Sequence, residues 1–236
     1  MHHKCGAKVS IIGAGFVGAT AAFAMLLQRV ANEIVLIDSH REKAEGEAMD
    51  LKHGLDFVEN AKITFGDSYE LCAGSDVVVI TAGASQKPGQ TRIDLVKTNA
   101  AIFKQIVPQI VKHAPDAVLL VVTNPVDVMT FLALKYSKLP ANKVFGTGTS
   151  LDTARFRCIL GEKLGVDPKS VHAYILGEHG DSEFPVWSSA TIGGIGLTQF
   201  SGFDKTIANY AFQHTRNAAY EIINKKGATY YAIALS

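Results

Sequence analysis

The chain has 236 residues, 47% of them hydrophobic and 19% charged, with a formal net charge of +1. That is enough chain for one large domain or two smaller ones. No basic block speaks for nucleic acid, and no apolar run is long and clean enough to span a bilayer.

Cys5, Cys72 and Cys158 are few, odd in number and far apart. They read as free thiols of a reducing compartment, by default the cytoplasm, and give neither a disulfide frame nor a metal site. The opening MHHKCGAK has no apolar signal core.

Residues 7–12 form a β-branched apolar run that predicts a strand, and 19–30 an alanine-rich helix. Between them lies Gly13-Ala14-Gly15-Phe16-Val17-Gly18. A G-x-G-x-x-G run between a strand and a helix suits a dinucleotide. Gly13 allows the tight turn, Gly15 the approach of a pyrophosphate, and Gly18 close packing of helix on strand. The helix N-terminus then offers free N–H groups to the phosphates.

The next strand, 33–37, ends in Asp38, about 20 residues after the last glycine. A carboxylate there accepts from both ribose hydroxyls and repels a 2′-phosphate, which favours NAD over NADP. The simpler alternative is an Asp capping the helix that begins near Arg41. Residues 41–57 predict that helix, with Ala44, Ala48, Leu51 and Leu55 on one side. Strands follow at 62–65 and 75–82, the second apolar throughout and so buried in a parallel sheet.

Residues 83–92, GASQKPGQTR, read as a loop, and 93–113 as a long helix containing Pro108. A hinged loop carrying Gln86 and Arg92 would close over a substrate and deliver a guanidinium. Arg92 sits badly as a helix opener, because the dipole end there is positive. A strand at 117–123 ends in Asn124-Pro125, at the crevice where open α/β sheets bind ligands. A helix at 126–136, a strand at 143–145 and a helix at 150–164 come next. Asp152 and Arg155 share a face of that last helix. They read either as a surface ion pair or as separate parts, Asp152 orienting a histidine and Arg155 clamping a carboxylate.

Residues 171–176 predict a strand that opens into Gly177-Glu178-His179-Gly180-Asp181. A histidine there gives and takes a proton near neutrality. Its plain alternative is an ordinary loop histidine. An apolar run continues to 192, a glycine-rich loop spans 193–202, and a helix spans 204–226. Gly227-Ala228-Thr229 interrupts it, and 230–236 returns to helical composition.

These motifs, in this order, resemble the bacterial NAD-dependent L-lactate dehydrogenases of the lactate/malate dehydrogenase superfamily. The similarity spans essentially the whole chain. It implies an α/β fold: a Rossmann-type doubly wound parallel sheet over 1–144, then an α+β substrate domain over 145–236. It implies reversible hydride transfer between NADH and pyruvate, giving L-lactate, in glycolytic fermentation. His179 is then the general acid–base, paired with Asp152. Arg92 polarises the carbonyl, Arg155 binds the carboxylate, and Gln86, Asn124 and Thr229 complete the substrate site. Cofactor contacts carry over to Gly13, Gly15, Val17, Gly18, Asp38, Lys43, Tyr69, Gly83, Ala84, Gln105, Val122, Asn124 and Thr147, with no metal.

Malate dehydrogenases of the same superfamily place an arginine at the Gln86 position. A neutral Gln86 would leave the second carboxylate of oxaloacetate buried without a counter-charge. Arg157 and His172 match positions that bind fructose 1,6-bisphosphate between subunits, as an allosteric activator of a homotetramer. Family members continue past the Thr229 position, so the chain is expected to lack the closing C-terminal segment. The competing expectations are a malate or other 2-hydroxyacid dehydrogenase, and an inactive NAD-binding fragment.

Overall fold

The computed structural model describes residues 6–84 and 92–236 and, of Arg92, the backbone alone. One unit runs to Thr147 and includes Ile233–Leu235; the other covers Gly148–Ala232 and Ser236. The domain boundary expected after Val144 falls inside a strand.

In the first unit, strands and helices alternate: β1 (Lys8–Ile12), α1 (Phe16–Gln28), β2 (Glu33–Ile37), α2 (Arg41–His53), β3 (Lys62–Gly66), β4 (Val77–Ile80), α3 (Arg92–His113), β5 (Val118–Val121), α4 (Val126–Ser137) and β6 (Val144–Gly146). The six strands form one parallel sheet in the order β3-β2-β1-β4-β5-β6. This is the doubly wound Rossmann order.

Strand residues divide alternately between two cores, as a two-residue side-chain period requires. Ile12, Val35, Ile37, Val78 and Ile80 pack with Phe103, Val107 and Ile110 of α3 and Met129 and Ala133 of α4. Val9, Ile11, Ile34, Leu36 and Val79 pack with Ala22 and Leu26 of α1 and Ala44 and Ala48 of α2. The small stripe of α2 therefore faces the core. With helices on both faces, the inner strands β4 (VVVI) and β5 (VLLV) read as continuous apolar runs.

Several boundaries move from their expected places. Helix α1 begins at Phe16, so the last glycine of the motif is already helical. Helix α2 stops at His53, and Leu55–Phe57 forms a separate 3₁₀ turn. Arg92 opens α3 instead of closing the preceding loop.

The second unit holds α5 (Ser150–Leu164), β7 (Val171–His172), β8 (Ile175–Leu176), β9 (Phe184–Pro185), β10 (Thr191–Ile192), β11 (Ile195–Gly196) and α6 (Lys205–Lys226); α7 (Tyr231–Leu235) follows. The strand expected over 171–176 is in fact two. Its first half joins the antiparallel sheet β11-β10-β7, and its second pairs with β9. The carbonyls between the halves find other partners: Arg157 Nε donates to Ala173 O at 2.9 Å, and Val186 N to Tyr174 O at 2.9 Å. The core here is Phe156, Leu160, Val171, Ile175, Ile192 and Ala211, closed by Trp187 edge-on to Phe156 at 5.1 Å. Asp204 caps α6 by accepting from Ile207 N at 2.8 Å, and Gly227 ends it with φ +85°.

Candidate active site

Two sets of side chains carry the chemistry, one in each unit. In the first unit the sheet order reverses between β1 and β4, where open α/β sheets place their ligands. Gly13 leaves β1 with φ +104°, and a Cβ there would stand 2.8 Å from Ala82 N. A Cβ on Gly18 would fall on the Gly13 carbonyl oxygen. The Thr81 hydroxyl donates to Gly13 O at 2.8 Å and fixes the turn from β4.

Asp38 follows β2, and its carboxylate braces this turn. Oδ2 accepts from Ala14 N at 2.8 Å and Oδ1 from His40 N at 3.0 Å. It does not cap α2, whose preceding residue is His40 with no side-chain cap.

A cavity of about 540 Å³ opens here. Gly13, Gly15, Asp38, Lys43, Tyr69, Gly83, Ala84 and Gln105 all line it. That volume lies within the range of small-molecule and cofactor sites. The Lys43 ammonium reaches within 3.8 Å of where a Gly15 Cβ would stand, bringing a cation to the glycine turn. A tight turn, a helix N-terminus, a cation and a carboxylate at the end of β2 fit a dinucleotide.

Val17, Gly18, Val122, Asn124 and Thr147 are not among the cavity's lining residues. Val17 and Gly18 belong to the first turns of α1. Val122 N donates to Ile80 O at 2.9 Å and Thr147 N to Val121 O at 3.0 Å, so both extend the sheet's ladder. Asn124 is exposed beside β5 and precedes a cis Pro125.

Asn99, in the interior of α3, was missed by sequence reasoning. Fully buried, it accepts from Ala84 N at 2.8 Å and donates to Asn124 O at 2.7 Å. It therefore ties two expected contact residues together. Its only sequence trace is a poor helix former in the middle of a helix.

In the second unit, the Thr153 hydroxyl accepts from Ile175 N at 3.0 Å, and Thr149 donates to Ile175 O at 2.8 Å. These bonds pin β8 to the first turns of α5. His179, four residues beyond Ile175, is thereby brought to Asp152. Its Nδ1 stands 2.5 Å from Asp152 Oδ2, while Arg155 Nη1 stands 3.1 Å from Oδ1.

Asp152 is 2% exposed, and the Arg155 side chain 12%. This is no surface ion pair, because both groups are largely out of water. The Asp152 carboxylate only accepts hydrogen bonds, so His179 donates to it through Nδ1. That bond holds the His179 proton more tightly and raises its pKa above 6.5, against burial, which lowers it. Glu183 lies beside the pair. Its carboxyl is buried and pushed up to about 7 by loss of water and the nearby Asp152 charge. Nothing in the sequence pattern set it apart from the charged loop around it.

Thr229 lies half-buried between α6 and α7. Arg157 lies over the Tyr174 ring at 4.6 Å, and His172 is exposed on β7. Gln86 and the side chain of Arg92 fall outside the described residues.

Together these features define a dinucleotide-binding protein with a histidine and an arginine held on one buried carboxylate. Residues 7–146 match the family described as lactate/malate dehydrogenase, NAD binding domain. Residues 149–236 match lactate/malate dehydrogenase, alpha/beta C-terminal domain. The chain is 56% identical over 229 residues to an L-lactate dehydrogenase of Synechococcus sp. (strain JA-3-3Ab), covering 97% of this chain and 74% of that protein. It is 53% identical over 234 residues to an L-lactate dehydrogenase of Acetivibrio thermocellus, with the same two coverages.

The crystal structure of a minor L-lactate dehydrogenase from Enterococcus mundtii, in a ligand-bound form, superposes with a TM-score of 0.95 at 50% identity. It covers 98% of this chain and 75% of that one. The chain belongs to the lactate/malate dehydrogenase family. It is an NAD-dependent oxidoreductase acting on a 2-hydroxy acid.

Proposed function

We propose that the chain interconverts pyruvate and L-lactate, with His179 as the general acid–base. The observation that carries this is the pairing of a partly exposed imidazole with a buried carboxylate that also holds an arginine. NADH, when bound, supplies the hydride to the carbonyl carbon.

Everything else falls to the chain's own groups. Asp152 fixes the ring so that Nε2 delivers the proton to the keto oxygen, and stabilises the imidazolium beforehand. Arg155 keeps N–H donors besides the one on Asp152, and these clamp the substrate carboxylate. Arg92 polarises the carbonyl, and Asn124 and Thr229 complete the substrate contacts. Gly13, Gly15, Gly18, Asp38 and Lys43 hold the dinucleotide, with Val17, Tyr69, Gly83, Ala84, Gln105, Val122 and Thr147 around it. A neutral Gln86 favours pyruvate over oxaloacetate.

The protein works in the cytoplasm as a homotetramer activated by fructose 1,6-bisphosphate through Arg157 and His172. Support for the effector site is local. Arg157 is bonded to Ala173 O, next in chain to the exposed His172. Meeting their symmetry mates, such groups repel until phosphate bridges them.

The test is oxidation of NADH followed by absorbance, with pyruvate and with oxaloacetate. Turnover of pyruvate that disappears in His179→Asn supports the reading. Preference for oxaloacetate, or turnover surviving in His179→Asn, overturns it.

A further inference from the structure

The acid–base cluster contains a carboxyl that the reaction as described does not use. Glu183 closes the loop that starts at His179, its N–H donating to Gly180 O at 3.2 Å. The side chain turns inward. Glu183 is 6% exposed, and its buried Oε1 has no hydrogen-bond partner among the described residues. One polar atom each from Asp152, His179 and Glu183 lie within 4.8 Å of one another. A buried carboxyl oxygen without a partner costs free energy that ordinary packing would avoid.

The charged groups around it come from three elements. Helix α5 presents Asp152 and Arg155, α6 presents Arg216, and the loop itself presents His179. Burial and Asp152 oppose a second anion, whereas His179, Arg216 and Arg155 favour one. Burial and Asp152 prevail, and the Glu183 carboxyl ionises only at about 7. It therefore gains its charge in the range where a histidine loses its own. The two titrations are linked, because an anionic Glu183 favours protonated His179.

We infer that Glu183 is a positioning residue for His179, holding a second carboxyl against the His179–Asp152 pair. The inference rests on the acid–base role proposed for His179. Glu183 transfers nothing in the step. The proton leaves His179 Nε2 for the keto oxygen, the hydride reaches the carbon, and the imidazole ends neutral. Glu183 alters only how tightly that proton is held beforehand.

The experiment measures kcat/KM for pyruvate against pH in the wild type, Glu183→Gln and Glu183→Asp. In Glu183→Gln the alkaline limb moves down by about half a pH unit or more, and Glu183→Asp restores most of the difference. Superimposable limbs for wild type and Glu183→Gln overturn the inference.

Should Glu183→Gln fail to fold, the His179 imidazole signal decides, identified by its absence from His179→Asn. Two inflections across its titration in the wild-type protein uphold the inference, and a single-site curve overturns it. Loss of turnover in His179→Asn tests the acid–base role separately. An unmoved limb beside that loss therefore sinks the Glu183 inference alone.

Discussion

His179 Nδ1 stands 2.5 Å from Asp152 Oδ2, across 27 residues of sequence. The carboxylate is 2% exposed, so its charge is little screened by water and acts on the imidazole at close range. The other oxygen of the same carboxylate holds Arg155. One buried anion thus orients both a proton donor and a guanidinium.

Asp152→Asn keeps the shape of this anchor and removes its charge. The imidazolium then loses its stabilising partner, and less of it is protonated near neutrality. Pyruvate reduction is expected to fall by about 10²-fold or more in kcat/KM. NADH affinity, followed by fluorescence titration, is expected to stay at the wild-type value.

Stability is expected to fall as pH rises. Glu183 binds its proton more tightly folded than unfolded, with its value raised from 4.5 to about 7. Its contribution is complete below 4.5 and is lost as pH climbs towards about 7. His179, also raised, adds a contribution present below 6.5 and lost above it. Thermal melts should give Glu183→Gln a higher Tm than the wild type at about pH 8 and no such advantage at about pH 5. The opposite order would contradict the burial argument.

Asp38→Ala removes the acceptor for Ala14 N and the group proposed to bind the ribose hydroxyls. A charged hydrogen bond contributes about 1.5–3 kcal/mol, so NADH should bind roughly ten- to a hundredfold more weakly. Discrimination against NADPH should shrink as well, since the charge that repels a 2′-phosphate is gone. Parallel titrations with the two dinucleotides measure both effects.

Gln86→Arg supplies a counter-charge for a second substrate carboxylate. The ratio of kcat/KM for oxaloacetate over pyruvate should rise by about tenfold or more. An unchanged ratio removes this position as the selector.

Fructose 1,6-bisphosphate should raise activity at low pyruvate. Arg157→Gln should abolish the response. No response of the wild-type chain ends the effector assignment.

The glycine turn, the parallel sheet and the order of its elements were legible in the sequence. Each rests on a local rule: a two-residue side-chain period, a helix stripe such as Ala44 and Ala48, or the φ +104° that only glycine adopts comfortably at Gly13. The motif residues 177–181 likewise stood out before any fold was known.

What the sequence left open is set by contacts between distant residues. The run 171–176 looked like one strand, yet its halves join different sheets because Arg157 and Val186 take the carbonyls between them. At helical spacing, Asp152 and Arg155 read equally well as a surface pair. Burial of the α5 N-terminus against β8 decides otherwise, through Thr149 and Thr153. Glu183 carries no local signature and Asn99 only that of a poor helix former, because the burial of a polar group depends on which chain segments close over it. Sequence thus determined the periodic and conformationally restricted parts of this protein, and only the tertiary structure decided which charges lose their water.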